Sequence, residues 1–142
     1  MIIVILLAAL LHTVYGTIDG MLRPAVSNVT IAAVPVPDRP DWSLITGKFF
    51  KLRPACRFDG IKASYHEIPV ILELIEGTKD RGGGWHDYGP WRVQIAPDQL
   101  PDLRIQVFHV CAGGVDLPDL LHDWWPRTVT TFHPTFHSED AK

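Results

Sequence analysis

The hydrophobic and polar positions divide the chain into an apolar start, a proline-punctuated stretch and a long region of short apolar runs. Met1–Leu11 reads MIIVILLAALL without a charge, and the apolar character fades through His12, Thr13, Val14, Tyr15 and Gly16. A run of this length fits the hydrophobic region of a signal peptide, about 7–15 residues, and is short for a membrane span of roughly 20. Val14 and Gly16 occupy the −3 and −1 positions of a cleavage after Gly16. No Lys or Arg precedes the run, so the basic region of a signal peptide is missing. An uncleaved anchor from Met1 to about Ile18, ended by Asp19, therefore stands beside the cleaved signal as an alternative. Residues 1–18 are expected to meet the membrane in either case, which makes the chain exported or membrane-anchored. Arg23, the first basic residue, lies C-terminal to the run, and under the positive-inside rule it argues for an internal C-terminal domain.

The stretch 19–41 carries Pro35, Pro37 and Pro40. Proline imposes extended backbone and forbids a continuing helix, so a spacer is expected there. It includes the sequon Asn28-Val29-Thr30, which matters only in a eukaryotic secretory setting.

From Trp42 the pattern changes to β-branched and aromatic runs separated by Gly, Pro and Asp, the signature of strands and turns. Strands are predicted at Lys48–Leu52, Gly60–His66, Val70–Ile75, Trp91–Ile95, Leu103–Cys111 and Thr128–Phe132. The run Leu103–Cys111 is apolar on both faces towards its end, as in a central strand. One short helix is predicted over Leu117–Trp125, with Pro118 in its first turn and Pro126 ending it. Strands without long amphipathic helices between them predict an all-β domain over 42–134, an antiparallel immunoglobulin-like sandwich or small barrel, followed by a polar tail over 135–142.

Composition adjusts this picture in two places. A chain of 142 residues has room for one domain and a leader. The formal net charge of −3 offers no positive field for phosphates, which removes nucleic acid as an expected partner. Cys56 and Cys111 are the only cysteines. In an oxidising compartment they would form one disulfide closing a loop of roughly 50 residues, worth on the order of 4 kcal/mol, and would pin two sheets together. In a reducing one they would be two buried thiols. A true immunoglobulin domain places a Trp soon after its first Cys and a Tyr two residues before its second, whereas Tyr65 follows Cys56 here and His109 precedes Cys111.

Catalytic chemistry finds little support in the sequence. His109-x-Cys111 and His133-x3-His137, with Glu139 and Asp140, lack the second ligand pair of a zinc site, so no metal and no cofactor is expected. Gly82-Gly83-Gly84 is followed by Trp85-His86-Asp87 rather than by Lys-Ser or Lys-Thr, so it reads as a hairpin tip and not a phosphate loop. Glu67, Glu73, Glu76 and Asp80 read as a solvated face, and His66, His86 and His122 have no neighbouring nucleophile. The tryptophans say more. Trp42 and Trp91 are expected in the core. Trp85, Tyr88, Trp124 and Trp125 are candidate binding residues, since consecutive Trp124 and Trp125 cannot both face inward from extended chain. Gly89-Pro90 is expected to supply the turn into the strand at Trp91.

The sequence Leu52-Arg53-Pro54-x-Cys56, then Tyr88-Gly-Pro-Trp91-Arg-Val93, Phe108-His109-x-Cys111, and Trp125-x-Arg127-Thr128 with Phe132 resembles small uncharacterised proteins of bacteriophages and prophages over residues 40–132. Those proteins combine an apolar N-terminal segment, a Pro-rich spacer and a two-cysteine β domain. The resemblance implies a bacterial or viral origin and a place at the bacterial envelope, and it names no activity. The preferred expectation is a tethered or exported β protein that mediates an interaction with a protein partner. A small hydrolase or metal enzyme using His66, His86 or His109 with nearby carboxylates, and a virion component, are the alternatives.

Overall fold

The computed structural model describes residues 1–75, 82–111, 124–133 and 135–136. Helix α1 runs over Ile2–Leu22. Its sequence holds no proline, and Pro24 stops it two residues beyond its end. Thr13 and Thr17 do not break it, because their hydroxyls donate to the carbonyls of Ala9 and Thr13 at 3.0 Å, one turn back. The helix itself continues past Asp19 to Leu22, with Asp19 buried among partners.

Among the described residues the strands that follow are β1 Val26–Val36, β2 Arg39–Lys51, β3 Arg57–Tyr65, β4 Ile68–Val70, β5 Leu72–Leu74, β6 Gly84–Val93, β7 Leu103–Val110, β8 Arg127–Phe132 and β9 Thr135–Phe136. A 3-10 turn over Pro97–Asp102 leads into β7. One sheet has the order β5-β6-β2-β1-β9 and the other β4-β3-β7-β8. Every pairing is antiparallel except β1 with β9. The class is therefore antiparallel β with an N-terminal apolar helix. The short strands β4 and β5 are consecutive in the chain yet sit at the edges of different sheets, so the single predicted strand Val70–Ile75 is split where the chain crosses at Ile71.

Both sheets feed one core. Ile31, Ile45, Tyr88, Trp91 and Val93 come from the first sheet, and Ala63, Leu103, Ile105 and Val107 from the second. Along β7 the buried positions alternate, with Leu103, Ile105, Val107 and His109 inside, as a central strand requires.

The expected spacer over 19–41 is overturned. It contains the last turn of α1, all of β1 and the start of β2. Pro35 fits in β1 because, among the described residues, the neighbour β9 pairs with Thr30 and Ile31 and makes no ladder bond at Pro35. A bulge between Ser27 and Thr30 places Asn28 at φ 51°, a conformation asparagine tolerates. Gly89-Pro90 is not a turn either. It lies inside β6, opposite the register shift between Ile45 and Gly47. The turn between β3 and β4 has both His66 and Glu67 at positive φ, the two-residue geometry that matches strand twist.

Candidate functional site

The structure concentrates its unusual contacts where α1 meets β8, the edge strand of the second sheet. Residues 2–15 of the helix are exposed throughout, whereas Gly16, Asp19 and Gly20 are buried. These three occupy one helical face, spaced i, i+3, i+4. The helix backbone there lies directly on the strand. A Cβ on Gly16 would stand 1.8 Å from the Arg127 carbonyl oxygen, and one on Gly20 would stand 1.8 Å from that of Val129. Only glycine allows this approach, which brings helix Cα–H groups against the outward carbonyls of the edge strand. The two repeats match: four helical residues advance about 6 Å and two strand residues about 6.6 Å. The helix thus covers an edge that would otherwise offer unpaired carbonyls to another chain.

Asp19 holds the junction chemically. Its carboxylate accepts from Arg53 Nη1 at 2.7 Å, from Thr128 Oγ1 at 2.5 Å and from Arg23 Nε at 3.0 Å, with Arg23 Nη2 at 2.6 Å. Its side chain is 3% exposed, and a buried carboxylate is tolerated only with such partners. Arg53 Nη1 also donates to the Arg23 carbonyl at 3.0 Å. Beyond the helix, the Ala25 N–H donates to Thr130 Oγ1 at 3.3 Å, and the Ala25 carbonyl accepts from the Leu52 N–H at 2.9 Å. Ala25 is fully buried against Cys56 and Cys111.

Cys56 and Cys111 form a disulfide. It does not pin one sheet to the other as expected. Cys56 immediately precedes β3 and Cys111 follows β7, and these strands are neighbours in the same sheet, with Arg57 opposite Val110. The bridge closes the end of that ladder and walls the pocket that receives Ala25.

The predicted binding residues separate. Tyr88 is a core residue, its hydroxyl donating to the Thr30 carbonyl at 2.7 Å, and burial pushes its phenol well above the ordinary tyrosine range. Its ring stacks against Trp91 at 4.8 Å. Trp42 and Trp91 are buried as expected. Trp85 is 59% exposed, edge-on to Phe50 at 5.4 Å. It borders a groove of 810 Å³ that also touches Met21, Pro24, Asn28 and Phe132. Trp124 is 74% and Trp125 37% exposed, and Trp125 Nε1 donates to the Cys111 carbonyl at 3.1 Å. Most of the predicted helix Leu117–Trp125 lies outside the described residues.

Among the described residues, His66, His86 and His109 do not converge. His66 sits in the β3–β4 turn, 3.7 Å from Asp102. His109 is buried near the opposite end of the β3–β7 ladder, edge-on to Phe58. His86 belongs to the other sheet and bonds the Gly82 carbonyl at 2.7 Å. Glu67 pairs with Arg104 at 2.8 Å and Glu73 with Arg92 at 3.6 Å. Among the described residues no three His, Cys, Asp or Glu side chains gather as metal ligands. Glu76, Asp80, His122, His137, Glu139 and Asp140 lie outside those residues.

Sequence reasoning missed the junction residues Gly16, Asp19, Gly20, Arg53 and Thr128. The signal was present as Gly16-Thr-Ile-Asp-Gly20, a small-xxx-small pair in an apolar helix, which marks close packing. No family model, curated protein or solved structure matches the chain.

Proposed function

We propose that α1 is a retained membrane anchor and that the chain is a small, tethered β protein displaying its domain on the oxidising face of a membrane to engage a protein partner. The observation that carries this reading is the burial of Asp19 at the helix–strand junction. A helix discarded by a signal peptidase has no need of contacts to the folded domain, whereas cleavage after Gly16 would cut through the turn packed on β8. Residues 2–15 are exposed and, His12 and Thr13 apart, mostly apolar, and by length and composition the helix passes for a membrane span, with a mean hydropathy of 2.0 over its apolar window. The disulfide supports a domain outside the reducing cytosol, against the orientation suggested by Arg23 alone.

Two sheets around one core favour a sandwich, immunoglobulin-like in its layering only, since the disulfide staples strands within a sheet. The partner-facing surface we favour is the edge opposite α1, where β4 and β5 leave Ile68, Ile71, Leu74 and Ile75 exposed. The resemblance of residues 40–132 to phage and prophage proteins supports an activity at a bacterial envelope.

Fractionation of cells expressing the full chain tests the reading. A full-length product that resists carbonate extraction, with cysteines that react with a thiol reagent only after reduction, is the expected result. A soluble product shortened after Gly16, or a membrane product with reduced cysteines, would overturn it.

A further inference from the structure

Four contacts fix the direction in which α1 leaves the domain. Gly16 meets Arg127, Asp19 meets Thr128, Gly20 meets Val129 and Ala25 meets Thr130. Position rises together on both segments, so α1 and β8 run parallel. The exposed apolar part of the helix, residues 2–15, therefore projects past the beginning of β8 at Arg127. Immediately before Arg127 the chain carries Trp124, Trp125 and Pro126.

The tryptophans thus lie on the side of the domain from which the apolar helix emerges. Trp125 is two residues before Arg127, and its bond to the Cys111 carbonyl keeps it at the end of the sheet where Val110 faces Arg127. Tyr15, 47% exposed, immediately precedes Gly16, where the helix leaves β8 at Arg127. Indole and phenol rings with one apolar body and one polar edge partition to the boundary between headgroups and hydrocarbon.

Resting on the anchor reading, we infer that Trp124 and Trp125, with Tyr15, form an interfacial belt that seats the β8 end of the domain in the headgroup layer of the membrane entered by residues 2–15 of α1. The occupant of this aromatic surface is a lipid surface rather than a protein. The Trp125 N–H bond to the Cys111 carbonyl ties the belt to the disulfide end of the β3–β7 ladder, so the domain is seated as a body and not on a free tether. Asp19, on the far side of Gly16 from the exposed helix, remains clear of hydrocarbon in this pose, among Arg53, Arg23 and Thr128.

The test uses the full-length protein in phosphatidylcholine vesicles brominated either near the headgroup end or near the methyl end of the acyl chains. Tryptophan emission of the wild type should be quenched more by the shallow bromines, and Trp124→Phe with Trp125→Phe should remove most of the quenched part. Carbonate-resistant vesicle association and a closed disulfide should persist in the variant, and Trp124→Phe alone gives the same readout in smaller degree if the double variant does not fold. Quenching that the substitutions leave unchanged, in protein that still resists carbonate, overturns the belt and leaves the anchor intact. Failure of the wild type to associate with vesicles overturns both.

Discussion

At the scale of single residues, the junction depends on what is missing at Gly16 and Gly20 as much as on what is present at Asp19. A methyl at position 20 would fall 1.8 Å from a backbone oxygen that the β7–β8 ladder holds in place. Gly20→Ala should therefore destabilise the fold by about 1–3 kcal/mol, the usual cost of overpacking, even though alanine is the better helix former. Urea unfolding in mild detergent would show it, and an unchanged midpoint would contradict the close approach. Tyr88 has a different signature. Its neutral phenol is favoured in the fold, so between about pH 10 and its raised native value the unfolded chain releases a proton that the native chain keeps. Stability contributed by this group is complete below about pH 10 and declines as pH rises above it. Phenolate absorbance during an alkaline titration should show one of the three tyrosines ionising only as the protein unfolds. Little of this was legible in the sequence. A glycine pair in an apolar segment resembles a cleavage site until a strand is placed against it, and Tyr88 resembles a surface aromatic until Thr30 is brought across to accept its hydroxyl.

Among the elements, β1 shows how far local pattern reaches. Pro35 and Pro37 suggest a stalk, and proline is excluded from a strand with partners on both sides. Among the described residues β9 pairs over Thr30 and Ile31 alone, leaving Pro35 opposite β2, while Pro37 sits in the turn from β1 to β2. The β3–β4 hairpin was hidden for the converse reason: His66 and Glu67 take positive φ in place of the usual Asn-Gly, so no turn signal marks it. The strands Leu103–Cys111 and Thr128–Phe132 were visible to within a residue, because their alternation is decided by burial on one face. The disulfide joins the ends of neighbouring strands and closes a long loop, with a sequence separation of 55. Its replacement by Cys56→Ala with Cys111→Ala should cost about 4 kcal/mol in the chain-entropy account and loosen the pocket around Ala25. Denaturant unfolding compared with the wild type checks the cost, and a difference under about 1 kcal/mol would mean that the ladder closes unaided.

For the whole molecule, the helix and the β domain act as one body through the β8 edge. A chain lacking residues 1–22 loses Asp19 and uncovers β8, so it should self-associate through that edge; size-exclusion chromatography would show oligomers or aggregate where the full chain in detergent runs as one species. A monodisperse, folded truncation would show that the edge needs no cover. From the sequence alone came the apolar N-terminal segment, the β class, the buried Trp42 and Trp91 and the pair of cysteines, since each follows from composition and from periodicity along the chain. Tertiary structure alone decided that the helix is part of the domain, that the bridge lies within one sheet, and that Trp125 is tied to the end of the sheet at Cys111. Those facts depend on contacts between residues far apart in the chain, such as Asp19 with Arg53 and with Thr128, and no local period encodes them.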